Sequence, residues 1–541
     1  MADVRGVTHV FVGACLALVF LAHAAIAAEA GYVGDRLIPR PMELKLAAAG
    51  KDAAGFQLAS GAVIVHDKET AGLARMLQQD IAEQTGLWLK LATDPVGGAV
   101  RIDLRTDPTD LPGKEAYVLA VSSSCAAVRA SQPEGRFYAT RTLLQLLFQA
   151  GQDGADAAPA AAPDQRAPAA VPALTITDSP RFPWRGLMLD CSRTFQSIDY
   201  VKKTIDRMAM YKMNVLHMHL TDDQGWRLAI RKYPELTRKG AAFPENWNEP
   251  AEHQGFYTRA QMKDIIACAA ARGITIVPEI EMPGHCLAAI ACYPKLSCKG
   301  GPFEIHPFFK GPGIHNEIYC AGNDETFEFL QDVLSEVIEI FPSQYIHIGG
   351  DEAPKNSWKA CAKCQARIKA EGLKDEHELQ SWFIKRIEKF VNSKGRKIIG
   401  WDEILEGGLA ENAAVMSWRG TRGGIAAAQA GHDVVMSPTS HCYFDYKYDR
   451  ISTARAYSLE PTAGLTGDQA RRVLGIQANF WSHIDREPPR VDAQLFPRLL
   501  GIAERGWSLK TVTDVADFAA RVKAQLPRMG MLGVAYHKEK E

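Results

Sequence analysis

The sequence predicts an α/β protein in which a (β/α)8 TIM barrel is preceded by a smaller α+β domain. From Trp184 onward, eight apolar strand-like runs alternate with amphipathic helical stretches. Eight such units over about 340 residues have the count and length of a (β/α)8 barrel, whereas a doubly wound open sheet gives no reason for eight. Before residue 150, short strand-like and helical stretches are mixed without this alternation, which is typical of an α+β domain.

The first 28 residues are typical of an export signal peptide. Arg5 gives a basic start, an apolar run covers residues 10–26, and Ala25-Ile26-Ala27 offers a small-residue cleavage site. Cys15 gives a weak lipoprotein-like motif, but the apolar run continues past it, so we expect cleavage rather than lipidation or a retained anchor. No later run reaches the roughly 18 apolar residues that span a bilayer. We therefore expect an exported protein, periplasmic or extracellular, and the absence of Asn-x-Ser/Thr acceptors favours a bacterial origin.

The mature chain divides into four expected segments. They are the α+β domain at residues 37–149, an Ala/Pro-rich linker at 150–173, the barrel at 180–520 and a C-terminal helix with a charged tail at 521–541. In the α+β domain, residues 62–65 and 100–104 read as strands, and those around 70–85 and 139–149 as helices.

The barrel prediction rests on named elements. The expected strands are Gly186–Asp190, Asn214–Leu220, Ile274–Ile280, Tyr345–Ile348, Lys397–Trp401, Ala414–Trp418, Asp433–Ser437 and Val473–Phe480. Helical stretches between them include Ile198–Tyr211, Arg259–Arg272, Asp324–Ile340 and Glu376–Ser393.

Charge and cysteine content narrow the class of protein further. With 62 basic and 63 acidic residues, the chain offers no electrostatic attraction to nucleic acid or an anionic membrane. Ten cysteines remain after Cys15, an even number in an oxidising compartment. Disulfide candidates are Cys361 with Cys364, and the group Cys286, Cys292, Cys298 and Cys320. Spacing alone does not give their pairing, and buried free thiols are the alternative.

Polar and aromatic residues follow nearly every predicted barrel strand. In this barrel class the C-terminal strand ends form one mouth, where catalytic groups gather. The residues in question are Arg193, Asp222, His285, Asp351, Glu352, Trp401, Trp418, Tyr443, Asp445, Trp481 and His483. Aromatic faces stack on sugar rings, while carboxylates and Arg hydrogen-bond hydroxyl groups. The pattern predicts a carbohydrate-active site at this mouth.

The turn Gly349-Gly350-Asp351-Glu352 follows the fourth predicted strand. Two glycines let the backbone turn sharply beside a ligand, and two adjacent acids raise each other's pKa. An acidic helix start is the structural alternative for these acids. Neighbouring side chains on an extended segment diverge, so we expect Asp351 and Glu352 to be poorly placed to flank one glycosidic bond.

With these residues assembled, the chain resembles glycoside hydrolase family 20, the β-N-acetylhexosaminidases, from about Leu37 to Trp507. The motifs that carry the resemblance are residues 185–190 (RGLMLD), 214–217 (NVLH), 221–226 (TDDQGW), 283–285 (PGH) and 347–352 (HIGGDE). The resemblance implies an exo-acting enzyme that removes terminal non-reducing N-acetylhexosamine (GlcNAc or GalNAc) from β-linked glycans. The partners implied are chitooligosaccharides, peptidoglycan fragments or glycoconjugates, and no cofactor and no metal ligand are expected at the site.

The resemblance also implies a retaining, substrate-assisted mechanism through an oxazolinium intermediate, an exception to the two-carboxylate scheme. It assigns Glu352 as general acid and base, and Asp351 as the acceptor for the acetamido N–H. Tyr443 is the implied donor to the acetamido oxygen, and Asp222 with His285 form a supporting dyad. Substrate binding is implied for Arg193, Asp445, Trp401, Trp418, Trp481 and His483.

The sequence departs from the family pattern at three positions. Thr194 replaces a common His after the Arg, and Met218 replaces the usual Trp. His483 stands where the pattern has an acid that binds an outer sugar hydroxyl, which opens the choice between glucosamine and galactosamine epimers.

Two other functions stay open from the residues alone. His217 and His219 lie on one face of a strand and, with Asp351, could chelate a metal ion for a metal-dependent barrel hydrolase. A catalytically silent glycan-binding protein is the second alternative, although both acids of the turn are present.

Overall fold

The computed structural model describes residues 36–47, 55–107, 109–148 and 170–539. The expected signal peptide and residues 150–169 of the expected linker lie outside this range. The chain forms two compact units, Met1–Pro180 with Asp514–Gly533, and Arg181–Thr513 with Val534–Glu541. Among the described helices, none is both long and apolar enough to cross a membrane.

The first unit is a mixed seven-stranded sheet with the strand order β1-β7-β5-β6-β4-β2-β3. Its strands are β1 (Glu43–Leu46), β2 (Val63–Val65), β3 (Lys90–Ala92), β4 (Arg101–Asp103), β5 (Tyr117–Val121), β6 (Cys125–Arg129) and β7 (Leu174–Asp178). Its helices are Ala71–Thr85, Pro133–Leu147 and Val515–Met531. The expected boundary at residue 520 falls inside the last of these, whose Arg521 donates to the Leu37 carbonyl at 3.0 Å. This helix therefore belongs with the N-terminal unit.

The second unit is a closed barrel of eight parallel strands, which confirms the predicted fold class. The barrel strands are β8 (Trp184–Asp190), β9 (Val215–His219), β12 (Thr275–Met282), β13 (Tyr345–Gly349), β14 (Lys397–Trp401), β15 (Ala414–Ser417), β16 (Val434–Met436) and β17 (Val473–Phe480). A two-stranded hairpin, β10 (Thr221–Asp222) and β11 (Gly225–Trp226), follows β9. Every residue of β8 is buried, as expected for a strand covered on both faces.

Helices surround the barrel and connect its strands. The longer ones are Ile198–Met210, Arg259–Ala270, Asp324–Ile340, Ala362–Glu371, Glu376–Ser393, Arg422–Gln429, Pro488–Leu495 and Arg498–Trp507. Shorter α-helical segments are Glu235–Arg238, Leu287–Cys292, Asn356–Ala360, Thr439–Cys442, Thr453–Tyr457 and Gly467–Arg471. Single 3-10 turns cover Glu245–Trp247, Ala251–His253, Pro294–Leu296, Phe308–Lys310 and Asp402–Leu405.

Local sequence determines where several of these helices begin. The Ser197 hydroxyl accepts the backbone N–H of Tyr200, and Thr258 forms a capping box with Gln261. Asp375 accepts two N–H groups at the start of Glu376–Ser393. Each cap satisfies N–H groups that have no partner inside the helix. These helix starts fix where the preceding loops end.

Candidate active site

All eleven predicted site residues lie at or just beyond the C-terminal ends of the barrel strands and are connected by contacts or by charge. Arg193 follows β8, Asp222 follows β9, and His285 follows β12. Asp351 and Glu352 follow β13 directly. Trp401 ends β14 and the remaining five, Trp418, Tyr443, Asp445, Trp481 and His483, follow β15, β16 and β17. The fold therefore brings the predicted set to one mouth.

Asp222 is the centre of a buried charge network. Its Oδ2 lies 2.8 Å from an Arg193 guanidinium nitrogen and 2.8 Å from His219 Nε2. Its Oδ1 lies 3.2 Å from His285 Nδ1. Burial alone would raise the pKa of Asp222, but the charges of Arg193 and His285 hold it well below its ordinary value. Asp222 is therefore an anion between two cations.

Asp190 places Arg193 in this network. Its Oδ1 accepts the backbone N–H groups of Ser192 and Arg193 at 2.9 and 3.0 Å. Its Oδ2 accepts the N–H of Ser482 at 3.0 Å and lies 3.3 Å from the Arg193 guanidinium. One carboxylate thus joins the ends of β8 and β17, and it was not among the predicted site residues.

His285 connects the Asp222 anion to the two acids of the turn. Its Nε2 lies 3.4 Å from Glu352 Oε2 and 3.7 Å from Asp351 Oδ2. Burial would lower the pKa of His285, but the negative charge of Asp222 and the hydrogen bonds that His285 donates to Asp222 and Asp223 raise it well above its ordinary value. His285 is therefore a buried imidazolium facing both carboxyl groups.

The side chains of Asp351 and Glu352 do not diverge as expected for an extended segment. One oxygen of each carboxyl lies within 4.8 Å of the other and of a His285 nitrogen. The reason is the backbone, because Glu352 has φ 42° and the chain turns back rather than continuing extended. Positive φ at a residue with a side chain is strained, and such strain is concentrated at functional sites.

The two acids nevertheless differ in environment. Asp351 is buried and its Oδ1 has no hydrogen-bond partner among the described residues, while 35% of the Glu352 side chain is exposed. Burial, with added repulsion from Glu279 and Glu352, raises the pKa of Asp351 to about 6 despite the opposing charge of His285. Asp351 thus holds a free acceptor inside the pocket, and Glu352 reaches its open side.

Four aromatic residues line the mouth next to these acids. Trp401 and Trp481 have ring centroids 5.9 Å apart, and Trp481 lies 6.4 Å from Tyr443. Tyr443 and Trp418 are stacked at 6.1 Å with an interplanar angle of 23°. The Arg193 guanidinium lies over Trp481, 4.8 Å from the ring centroid. The predicted aromatic wall is therefore continuous and joined to the charge network.

The indole N–H groups of this wall are fixed by carboxylates that were not predicted as site residues. Trp401 Nε1 donates to Glu279 Oε1 at 2.8 Å, and Trp418 Nε1 donates to Glu403 Oε2 at 2.8 Å. Burial and the charge of Asp351 raise the pKa of Glu403 to about 8. Glu279 lies inside a predicted strand, where period-two spacing is the signal that points to it, whereas Glu403 lies in the 3-10 turn Asp402–Leu405 that follows β14.

Glu279 also contacts the two histidines that were considered as metal ligands, His217 and His219. Its Oε2 lies 2.5 Å from His219 Nδ1 and 3.0 Å from His217 Nε2, and its Oε1 lies 2.8 Å from His347 Nδ1. Asp351 instead faces His285 and Glu352. The predicted chelating set of His217, His219 and Asp351 is therefore not assembled, since both imidazoles contact Glu279.

Glu281 lies on the same face of β12, two residues after Glu279. It is buried, and neither carboxyl oxygen has a hydrogen-bond partner among the described residues. Burial and repulsion from Asp351 and Glu279 raise its pKa well above the ordinary value. A Cβ on Gly349 would lie 1.6 Å from Glu281 Oε2, so only glycine leaves room for this side chain.

Asp445 and His483 lie near Arg193 at the other side of the mouth. Burial raises the pKa of Asp445 to about 7, although the nearby Arg498 and Arg193 oppose it, and its Oδ1 has no partner among the described residues. Burial and the Arg193 charge lower the pKa of His483 to about 4. His483 is therefore a neutral imidazole at neutral pH, where the family pattern has an acid.

A closed (β/α)8 barrel whose mouth holds paired acids, an imidazolium and an aromatic wall defines a carbohydrate-cleaving enzyme, a glycoside hydrolase. The family model described as the catalytic domain of glycosyl hydrolase family 20 matches residues 182–510, and domain 2 of that family matches residues 35–179. The chain belongs to glycosyl hydrolase family 20, as its motifs predict.

Relatives and solved structures agree with this membership. A β-hexosaminidase of Porphyromonas gingivalis is 41% identical over 522 residues, covering 93% of this chain and 64% of that protein. A β-N-acetylhexosaminidase of Cellulomonas fimi is 31% identical, covering 93% of this chain and 95% of that protein. An exo β-N-acetylglucosaminidase of Vibrio harveyi, solved with N-acetylglucosamine, has a TM-score of 0.81 at 30% identity over 94% of this chain and 78% of that one.

Proposed function

We propose that this enzyme removes terminal β-linked N-acetylhexosamine residues from the non-reducing ends of glycans, with retention and with the substrate's acetamido group as the nucleophile. The observation that carries the proposal is Asp351, a buried carboxyl with an unpartnered oxygen, next to an open-sided Glu352 and an aromatic wall. A buried acceptor without a donor is costly, and a substrate N–H is a group that can satisfy it.

Asp351 orients the acetamido group in this proposal. Its free Oδ1 accepts the acetamido N–H, and because its pKa is about 6 it is mostly ionised at neutral pH. The negative charge balances the positive charge that develops on the nitrogen as the acetamido oxygen attacks the anomeric carbon. Holding nucleophile and carbon in contact can supply about 7–11 kcal/mol of barrier reduction.

Glu352 moves the proton. It protonates the glycosidic oxygen as the bond to the leaving group breaks, then takes a proton from the water that opens the oxazolinium ring. The His285 imidazolium, 3.4 Å from Glu352 Oε2, stabilises the carboxylate after its proton is given up. Asp222 keeps that imidazole charged and oriented, and Arg193 in turn holds the Asp222 carboxylate in place.

Tyr443 and the tryptophans hold the sugar. In this proposal the Tyr443 hydroxyl donates to the acetamido oxygen, and Trp401, Trp418 and Trp481 enclose the acetamido methyl and the apolar face of the ring. Arg193 and Asp445 bind ring hydroxyls, with His483 beside them. The substrates proposed are chitooligosaccharides, peptidoglycan fragments and glycoconjugates with such termini.

Rates on paired aryl β-glycosides of N-acetylglucosamine, N-acetylgalactosamine and glucose test the proposed function. Hydrolysis confined to the two acetamido sugars and unchanged by a chelator during the assay is expected. Cleavage of the glucoside at an equal rate contradicts acetamido participation, and loss of activity on chelation without a lower thermal midpoint would favour the metal-dependent alternative. Binding of N-acetylglucosamine without any cleavage would favour the silent glycan-binding protein.

We also propose that the chain is exported, from the basic start and apolar run of residues 1–28. The expected result is a mature N-terminus near Ala27 in protein recovered from the periplasm or medium of a bacterial host. Recovery of the uncleaved chain from the cytoplasm alone contradicts it.

A further inference from the structure

Four cysteines converge outside the sugar site, although they are spread over 67 positions of the chain. The Sγ of Cys364 lies 3.7 Å from that of Cys298 and 3.7 Å from that of Cys320. Cys320 Sγ lies 3.8 Å from Cys361 Sγ, and all four sulfurs lie within 4.8 Å of one another. All four are free thiols, so the disulfide bonds considered from the sequence do not explain why these cysteines lie together.

The spacing of the sulfurs fits a tetrahedral metal site. Zinc binds thiolate sulfur at about 2.3 Å, and a tetrahedron with that radius has edges of about 3.8 Å. The three separations of 3.7, 3.7 and 3.8 Å match this edge. Sulfurs joined in a disulfide are about 2.0 Å apart, so no pair in the cluster is at bonding distance.

Two loops of the barrel supply the sulfurs. Cys298 and Cys320 lie between β12 and the helix Asp324–Ile340, where Ser297 and Tyr319 form a β-bridge and the Cys320 N–H donates to the Leu296 carbonyl at 2.8 Å. Cys361 and Cys364 begin the helix Ala362–Glu371. The cluster therefore links the loop after β12 to the loop after β13.

Gly322 allows the two loops to approach this closely. A Cβ at Gly322 would lie 2.2 Å from the Lys363 carbonyl carbon and 2.4 Å from the Cys364 nitrogen. Outside the cluster, the Trp358 indole donates to the Tyr319 carbonyl at 2.8 Å and the Ser357 hydroxyl donates to the Asn316 carbonyl at 2.6 Å. The loops are thus held together around the sulfurs by contacts that fix the positions of the thiols.

We propose that Cys298, Cys320, Cys361 and Cys364 bind one structural Zn²⁺ ion. Soft thiolates select zinc among the divalent ions, and four protein ligands leave no open position for catalysis. Cys320, Cys361 and Cys364 are buried and Cys298 is half-buried, next to a surface cavity of about 260 Å³ through which an ion can enter. Each thiol releases its proton on binding.

The proposed zinc site joins the loop that follows His285 to the loop that follows Glu352. His285 begins the loop that contains Cys298 and Cys320, and Glu352 lies nine residues before Cys361. Zinc at this position joins the two loops to each other. Its loss is therefore expected to lower the thermal midpoint, and to lower activity only through misplacement of His285 and Glu352.

Metal content and thiol state of the full chain test the proposal. We expect one zinc per chain in protein purified without added metal, and thiols at these four positions that resist alkylation until the protein is unfolded in the presence of a chelator that removes the zinc. The variants Cys298→Ser and Cys364→Ser should lose the zinc. Cys268→Ser is the matched control, because Cys268 is half-buried like Cys298 but lies in the helix Arg259–Ala270, and it should retain one zinc per chain.

Cobalt titration of the intact chain tests metal binding by the four cysteines even if the serine variants do not fold. After zinc release, Co²⁺ should give the thiolate charge-transfer and visible bands of a tetrahedral four-sulfur site, and the Cys268→Ser variant should give the same spectrum. Two disulfides among the four residues, found by peptide mass mapping of unreduced protein, would overturn the proposal. Four reduced thiols that bind neither zinc nor cobalt would also overturn it.

Discussion

At the scale of single residues, the site is a set of carboxyl groups whose pKa values are set by burial and by neighbouring charges. Burial is the first cause that raises the pKa of Asp351 to about 6, of Asp445 to about 7 and of Glu403 to about 8. Asp222, equally buried, stays ionised because Arg193 and His285 flank it. Burial and neighbouring charges thus give these carboxyl groups different protonation states, as in active sites that combine acid and base chemistry.

Glu352→Gln should lower kcat by roughly 10²–10⁴-fold while substrate binding stays measurable, because an amide cannot donate or take the proton. Steady-state kinetics on an aryl N-acetylglucosaminide measure this. An exposed glutamate, Glu245, supplies the control Glu245→Gln, which should leave the rate unchanged. An unchanged kcat in Glu352→Gln removes this residue from the role of general acid.

Asp351→Asn should lower kcat/KM on acetamido substrates, since the amide cannot carry the balancing negative charge. The pKa of Asp351 is raised to about 6, so its active ionised form is lost as the pH falls through that value. The kcat/KM of the unaltered enzyme should therefore decline below about pH 6. This acidic limb should be missing from the residual activity of Asp351→Asn, and its persistence would assign it to another group.

At the scale of elements, the ends of the strands could be predicted from the sequence, but the backbone conformation of the residues that follow them could not. All eight barrel strands lie within two residues of their expected bounds, because apolar runs between amphipathic helices specify them. Positive φ at His285 and Glu352 has no such signal, and it is what brings Asp351 and Glu352 to one imidazole. The surroundings of Glu281 depend on strand register, which single strands do not reveal.

Gly349→Ala should destabilise the enzyme more than Gly372→Ala does. Both glycines have positive φ, 64° and 66°, so both substitutions strain the backbone by about 1–2 kcal/mol. Only at Gly349 would the added Cβ meet Glu281, which adds about 1–3 kcal/mol of overpacking. Urea unfolding of the two variants measures the difference. Equal free energies of unfolding would show that Glu281 does not occupy this space.

At the scale of the whole chain, long-range contacts decide what local sequence cannot. The helix Val515–Met531 groups with the N-terminal unit through a buried contact to Leu37, 484 positions away. Likewise, the four cysteines of the proposed zinc site come from two loops, so neither spacing nor an even count identifies their cluster. The fold class, and the position of the eleven predicted residues at the strand ends, follow from the sequence because a strand followed by a helix recurs in each βα unit.

Closure of the barrel depends in part on one carboxylate. Arg181, just before β8, and Arg505, in the last barrel helix, both contact Glu460, at 3.0 Å and 2.7 Å. Burial would raise the pKa of Glu460, but hydrogen bonds from Arg181 and Thr462 lower it to about 2. A depressed pKa means that this stabilisation is present above the ordinary value and is lost as the pH falls through about 2.

Glu460→Gln should therefore lower the free energy of unfolding by about 2–3 kcal/mol at neutral pH, the size of hydrogen bonds to charged groups. The deficit relative to the unaltered protein should shrink by about pH 3, where the unfolded state is already protonated. Urea unfolding at the two pH values provides the comparison. A deficit that grows on acidification would contradict the assigned direction of the pKa.

The participation of the acetamido group is tested most directly by changing that group alone. Two aryl β-glucosaminides with the same leaving group, one N-acetylated and one N-trifluoroacetylated, differ in the nucleophilicity of the carbonyl oxygen. If this oxygen attacks the anomeric carbon, kcat/KM should fall on the order of 10²-fold for the trifluoro substrate. The reason is that the less nucleophilic carbonyl oxygen lowers the barrier to glycosidic bond cleavage by less. Equal kcat/KM values for the two substrates would contradict substrate assistance and require an enzyme nucleophile.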